Sequence, residues 1–285
     1  MLLGQPLAWE GLCGAPCTDN AGASDCFAPP PVICALIVCF PARSAIVAAW
    51  GTLQAAALLA GATSVHGNLE AVEAAFAVLA GYVLADLGSG VFHWIVDNYG
   101  DAKTPALGTI IDSFQGHHAR PWTSACPPCV ERAAGNCTDY VASSRAVTQR
   151  EFCNNLAGPC AVHLAPLALL CAAPMPAPAR LFAATFMLFT AMAQQTHAWS
   201  HLKRGDVPPV VLALQDMGVF VSCRAHGAHH KPPFSGQYCI VSGMWNDALD
   251  AGVLTAAERL IFDRTGVAPR GWLEPSASWA PVAEE

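Results

Sequence analysis

The run VEAAFAVLAGYVLADLGSGVFHWIV, residues 72–96, leaves few folds open to this chain. A bilayer-crossing helix needs about 20 largely apolar residues, and three further runs, 45–63, 156–173 and 181–199, approach or reach that length. The run 156–173 is short and proline-flanked, with His163 and Pro166 inside it, so it also reads as a buried helix of a soluble kind. Composition agrees with a membrane setting: only 12% of the 285 residues are charged, about half the usual share of a soluble protein. The expected fold is an all-α integral membrane protein with about four transmembrane helices and a histidine-rich cap on one membrane face.

Loop charge sets the orientation. The loop SVHGNLE carries no Lys or Arg, and APMPAP is followed only by Arg180. In contrast, 97–155 carries Lys103, Arg120, Arg132, Arg145 and Arg150, and the region after Trp199 carries Lys203, Arg204, Arg224, Lys231, Arg259, Arg264 and Arg270. The positive-inside rule places both basic segments on one side. Two spans separate them, as that placement requires. The apolar stretch 207–221 is too short to span and is interrupted by Gln215 and Asp216, so an interfacial or re-entrant segment is expected there.

The net charge of -7 argues against nucleic acid as a partner, because phosphate binding needs clustered Lys and Arg and only 14 stand against 21 acidic residues. The 13 cysteines are odd in number and scattered, unlike a secreted disulfide scaffold, and mostly free thiols are expected. The pair Cys126 and Cys129, with Cys137 nearby, could be redox-active or bind zinc, but lacks a second well-spaced pair, so a plain loop pair is the expectation. Residues 1–44 read as an N-terminal segment and candidate targeting region, although poor in Arg and Ser and carrying Glu10, Asp19 and Asp25.

The ten histidines hold the chemistry. His66 lies in the opposite loop and His163 reads as a satisfied core residue. The other eight form four groups: His93 in HWIVD, His117 and His118 in QGHH, His197 and His201 in HAWSH, and His226, His229 and His230 in HGAHH. The topology brings all four groups to the basic-side face. Positions i and i+4 share a helix face, so His93 points with Asp97, His197 with His201, and the third cluster follows the same geometry. Imidazole suits Zn, Cu, Fe and Ni, and eight exceed the four to six positions of one first-row ion. Two metals fit better, and a pair of irons can activate O2 and oxidise an unactivated C–H bond. Trp94, Trp122, Trp199, Phe234 and Trp245 lie around these groups as interface aromatics or walls of an acyl tunnel. Arg120, Arg224 and Lys231 could hold an anionic lipid head group or simply follow the inside-face charge bias.

From residue 85 onward, ADLGSGVFHWIVDNYGDAKTPALGTIIDSFQGHHARPWT, EFCNN, QQTHAWSH, PPVVLALQDMGVFVSCRAHGAHHKPPFSGQYCIVSGMWNDALD and GVAPRGWLEP closely resemble the plant chloroplast fatty acid desaturase 4-like family. That family sits with the plasmanylethanolamine desaturases in one lipid-desaturase superfamily, and the resemblance covers most of 81–275. It implies a multi-pass enzyme of a chloroplast membrane, thylakoid or envelope, with the histidines on the stromal side. It also implies a trans-Δ3 double bond introduced into palmitate esterified to phosphatidylglycerol, with O2 as co-substrate. The implied di-iron ligands are His93, His117, His118, His197, His201, His226, His229 and His230. Asp97 stands where the plasmanylethanolamine relatives have another histidine, and either binds metal or orients a ligand. The desaturase domain would occupy 45–275, with a lineage-specific or mis-spliced insertion at 124–144 and a tail at 276–285. No flavin, haem or iron-sulfur motif is present, so electrons come from an external donor of ferredoxin type. A lipid hydroxylase, a desaturase of another glycerolipid such as a plasmanylethanolamine-type ether lipid, a bis-histidine haem electron carrier and a metal transporter are the rival readings.

Overall fold

A computed structural model gives the fold of residues 31–119 and 152–273, which are helices joined by turns, without a strand among the described residues. The 124–144 insertion with its three cysteines, Arg120, Trp122, the first thirty residues and the 276–285 tail lie outside the described residues. The chain divides into Met1–Ala42 and Arg43–Glu285. The first unit shows only the start of a helix from Pro31, and all the packing below belongs to the second.

Four long helices dominate: α1 (Pro31–Thr63), α2 (Asn68–Asn98), α4 (Phe152–Ala172) and α5 (Ala177–Ser200). In hydrocarbon a helix satisfies every backbone polar group within its own segment, and Ala, Leu and Val supply the apolar surface. Among the described residues three helices are long and apolar enough to cross a membrane, over Ala42–Thr63, Asn68–Asn98 and Asn155–Ala172. The expected fourth span falls in α5, which does not reach the same apolarity because it carries Arg180 near its start and Gln194, Gln195, Thr196 and His197 in its last turns, the last three buried inside the protein. Leu59, Phe76, Leu79, Val162 and Leu169 point outward, the apolar exterior a lipid surrounding accepts.

Pairwise contacts fix the helix directions. The Gln54 side-chain amide donates to the Ala184 carbonyl at 2.8 Å, and Gly61 lies against Leu181, so α1 runs antiparallel to α5. Asn155 donates to Gln195 at 3.1 Å, while Arg180 donates to the carbonyls of Leu170 and Ala173, so α4 is antiparallel to α5 as well. α2 runs parallel to α5: Gly81 packs on the Phe182 carbonyl, where a Cβ would come within 2.7 Å, and Tyr82 meets Phe189 edge-on. A small residue at such a crossing permits close backbone approach. Trp50, Leu156, Leu167 and Ala191 centre the core of these helices. His163 donates from Nδ1 to the Pro159 carbonyl at 2.7 Å and lies 3.1 Å from Thr190 Oγ1, a satisfied residue of the α4–α5 contact.

The C-terminal ends of α2 and α5 therefore lie together, and the shorter elements gather there. α3 (Gly108–Ala119) packs against α2, and α7 (Cys223–His229) against α5. The Ser222 side chain caps α7 by accepting from the Ala225 amide at 3.2 Å. In the expected interfacial stretch, α6 (Pro209–Asp216) buries Val211 and Gln215 and exposes Val210, with Met217 exposed just beyond it. The chain then runs without regular structure to a short helix, α8 (Asn246–Ala248), a wide π turn at Leu249–Val253, α9 (Leu254–Thr265) and α10 (Arg270–Leu273). Gly266, left-handed at φ 72, ends α9 in the manner that favours glycine. Trp94, Tyr238, Leu249 and Leu254 form a second small core under these elements.

Candidate metal centre

All eight histidines and Asp97 meet where α2, α3, α5 and α7 converge, in two adjacent donor groups. His117, His197, His201, His226 and His230 form one group, and His93, Asp97, His118 and His229 the other; within each group the donor atoms lie within 4.8 Å of one another. The groups touch, with ring centroids of His118 and His230 5.3 Å apart and those of His93 and His197 5.5 Å apart.

Helix geometry deals the side chains out. His93 and Asp97, one turn apart on α2, both serve the carboxylate group, and His197 with His201 at the end of α5 both serve the five-histidine group. Adjacent residues on a helix diverge by about 100°, so His117 and His118 of α3 enter different groups. On α7, His226 and His230 share one face and join the five-histidine group, whereas His229 turns toward Asp97. The sequence clusters are thus not separate ligand sets: the QGHH and HGAHH segments are each split between two.

The donor set fits metal ions. In the five-histidine group Nε2 of His117 and His201 are 3.0 Å apart, those of His201 and His197 3.2 Å, and those of His230 and His226 3.0 Å. Imidazole nitrogens bound at right angles to a common ion about 2.1 Å away stand about 3.0 Å apart. In the other group, His93 Nδ1 donates to the Tyr238 carbonyl at 2.9 Å and His229 Nδ1 to the Gly236 carbonyl at 2.7 Å. A carbonyl only accepts, so each of these nitrogens carries the ring proton and each Nε2 presents a lone pair. Asp97 Oδ2 lies 3.1 Å from the His93 lone pair and 3.4 Å from Nε2 of both His229 and His118, while His229 Nε2 accepts from His118 Nε2–H at 3.0 Å. Neither carboxylate oxygen of Asp97 has a hydrogen-bond donor. Buried acceptors aimed at one another are costly, and a shared cation removes the cost. The Nδ1–H to carbonyl bonds are the usual outer support of a metal-binding histidine.

For His117, His118, His201, His226, His229 and His230 burial favours the neutral imidazole, which is the ligating form. Burial, reinforced by the neighbouring rings, pushes His201 down to about 3 and depresses His117, His226 and His230. His118 also falls to about 3 through burial, against the pull of Asp97, and burial lowers His229 in the same way.

Of the aromatics singled out in the sequence, Phe234 lines the site, and Trp94, Trp199 and Trp245 pack on neighbouring elements. Phe234 is buried and stacks on His118 with ring centroids 4.7 Å apart, and Trp94 is buried with its indole N–H on Glu258 at 3.0 Å. Trp245 donates to the Val83 carbonyl at 2.9 Å, and Trp199 stacks on Phe220. Arg224 and Lys231 are exposed beside α7. Histidine spacing gives no sign of Asp86, Ser89, Thr196 or Asn246, which grip the segment supplying the two carbonyls. For Asp86 a signal exists, an acid inside an apolar run, where ionisable residues carry a role by default.

The lipid desaturase domain matches residues 82–144 and 140–272. The chain is 42% identical over 230 residues to "Fatty acid desaturase 4, chloroplastic" of Arabidopsis thaliana, covering 78% of this chain and 63% of that protein. It is 39% identical over 217 residues to "Fatty acid desaturase 4-like 1, chloroplastic" of the same plant, covering 75% and 65%. With "Plasmanylethanolamine desaturase" of Myxococcus xanthus the identity is 32% over 201 residues, covering 68% and 62%. The chain thus spans less than two thirds of the length of these relatives. No solved structure matches it.

Proposed function

The chain belongs to the lipid desaturase family, and from that premise we propose that it is a di-iron, O2-dependent desaturase of membrane glycerolipids. The substrate is palmitate esterified to plastid phosphatidylglycerol, and the product carries a trans double bond at Δ3. The observation that carries the metal part is the convergence of eight imidazoles and Asp97 into two touching donor groups with opposed lone pairs. The substrate part is supported by the 42% identity to a chloroplastic fatty acid desaturase.

His117, His197, His201, His226 and His230 would hold one iron; His93, His118 and His229, with Asp97, would hold the other. When bound, the irons would supply O2 activation, with two hydrogens lost from adjacent carbons, two electrons and two protons arriving from outside, and O2 leaving as two waters. The chain's own part is placement and exclusion. The groups sit at the ends of α2 and α5, so an acyl chain lying along the helices meets them with its ester end. Phe234, Trp94 and Tyr238 are buried around the Asp97 group and keep bulk water out. The exposed Arg224 and Lys231 face the anionic head group, and α5 is the fourth span, which puts the histidine cap on the stromal face. A ferredoxin-type protein donates the electrons. A bis-histidine haem is disfavoured because Nε2 atoms 3.0 Å apart leave no room for a macrocycle between them.

Expression in a host that makes phosphatidylglycerol but no trans-3-hexadecenoate, with and without His229→Ala, tests the proposal. Lipid mass spectrometry should find the trans-Δ3 16:1 chain in phosphatidylglycerol alone and only with the unmutated chain. A hydroxylated acyl chain, or the alkene in an ether lipid, would overturn the stated activity while keeping the metal centre.

A further inference from the structure

The segment 236–246 crosses the ends of α2 and α5 as an extended strap, and its attachment is unusually dense for an irregular piece of chain. Asp86, fully buried in α2, accepts from three strap amides: Oδ1 from Ser242 at 2.7 Å and Gly243 at 3.1 Å, and Oδ2 from Trp245 at 3.4 Å. One turn on, Ser89 Oγ accepts from the Ile240 amide at 3.1 Å, and from α5 the Thr196 hydroxyl donates to the Ile240 carbonyl at 2.6 Å. Asn246 folds back to accept from the Cys239 amide at 2.8 Å. Gly90 leaves the space that Cys239 fills, and any Cβ there would collide with its sulfur.

An ionised carboxylate inside an apolar helix is expensive unless its oxygens are satisfied. Here backbone amides satisfy it, so Asp86 fixes the 242–245 end of the strap, while Asp250 accepts from the Gln237 amide and side chain at the end that carries the two carbonyls. The strap delivers two carbonyls to the metal centre, Gly236 to His229 and Tyr238 to His93. Both recipients are in the Asp97 group. Four imidazoles of the other group, His117, His197, His226 and His230, have no partner at Nδ1. The outer support is thus one-sided: one donor group is held from behind by the strap, and most of the other is not.

We infer that Asp86, with Ser89 and Thr196, is a positioning residue for one metal only: it fixes the strap, whose carbonyls set the tautomer and ring orientation of His93 and His229. The inference rests on the two-iron reading above. Loss of an outer hydrogen bond typically weakens metal affinity 10–100-fold, and here both supports move together. Asp86→Asn keeps the size of the side chain but turns an amide N–H toward backbone N–H groups, so the strap shifts and the Asp97 group loses its ion.

The test is iron content per chain in purified protein, read by plasma mass spectrometry beside far-UV circular dichroism and a thermal melt. Wild type should hold two irons and Asp86→Asn one, with helicity retained. Adding His118→Ala to Asp86→Asn should leave the count at one, whereas adding His201→Ala should bring it to zero. Ser89→Ala removes a single acceptor, carries the test if Asp86→Asn fails to fold, and should lower occupancy of the second iron only. A folded Asp86→Asn protein with two irons overturns the inference and leaves the metal centre standing. A variant that loses both irons together assigns Asp86 a general structural role and also overturns it. Wild-type protein that binds no iron under reconstitution overturns the metal centre and this inference with it.

Discussion

Asp97→Asn isolates the charge at the centre of the second donor group, because the amide has nearly the same shape as the carboxylate. In the metal-free protein at pH 8, where an ordinary imidazole is neutral, Oδ2 faces the lone pair of His93 at 3.1 Å with no donor between them, whereas His229 Nε2, 3.4 Å from Oδ2, accepts from His118 Nε2–H at 3.0 Å. Each buried group left without a partner costs about 1–3 kcal/mol. The amide of the variant donates to the His93 nitrogen and removes at least one such cost, so metal-free Asp97→Asn should be more stable than metal-free wild type by about 1–3 kcal/mol. The loaded protein changes in the opposite direction. Asp97 is the only anionic donor in either group, and its loss should weaken the second ion at least 100-fold, about 2.7 kcal/mol. Thermal melts of chelator-treated protein in detergent and iron titration of both proteins measure the two effects. A metal-free variant that melts below wild type, or one that retains two irons at wild-type affinity, would refute the opposed-lone-pair reading.

His201→Ala removes one of five imidazoles at the end of α5, and should leave one iron per chain and no desaturated lipid, measured by metal analysis and lipid mass spectrometry. Gly90→Val forces a side chain against Cys239, and overpacking of this kind should lower stability by about 1–3 kcal/mol in thermal denaturation. Arg180→Ala uncaps the Leu170 and Ala173 carbonyls at the end of α4 and should cost about 2 kcal/mol, with iron content unchanged because the site lies at the opposite end of the helices. Arg224→Glu combined with Lys231→Glu should reduce turnover of phosphatidylglycerol several-fold relative to a zwitterionic lipid; equal loss on both lipids would remove these residues from head-group recognition.

Much of this arrangement is legible before any coordinates. The pairs His93 with Asp97 and His197 with His201 follow from helix periodicity alone, and loop charge carries all four histidine groups to one end. The proposed fourth span reads as apolar in the sequence but falls short of the other three, because α5 carries polar residues that the site uses: Gln195, Thr196 and His197 lower its hydropathy yet are buried among the other helices. A hydropathy window cannot tell a polar residue turned inward from one facing lipid. The partition of ligands was also hidden. QGHH and HGAHH look like two compact sets, but a step of about 100° per residue sends neighbours to different donor groups.

The strap is the least legible part, and the reason is chemical. Its contribution to the site is two main-chain carbonyls, which every residue type supplies, so neither Gly236 nor Tyr238 announces a role by its side chain. What the sequence does display is the anchor. Asp86 stands in an apolar run seven residues before His93, two turns away on the same helix, so it meets the strap at a depth from which the strap can reach the metal groups. Three backbone amides at 2.7–3.4 Å satisfy it without a counter-cation, which lets a carboxylate persist at this depth without competing with Asp97 for metal. An acid in a spanning helix that is satisfied by backbone alone therefore points to the chain segment it holds, and in this protein that segment ends at His93 and His229.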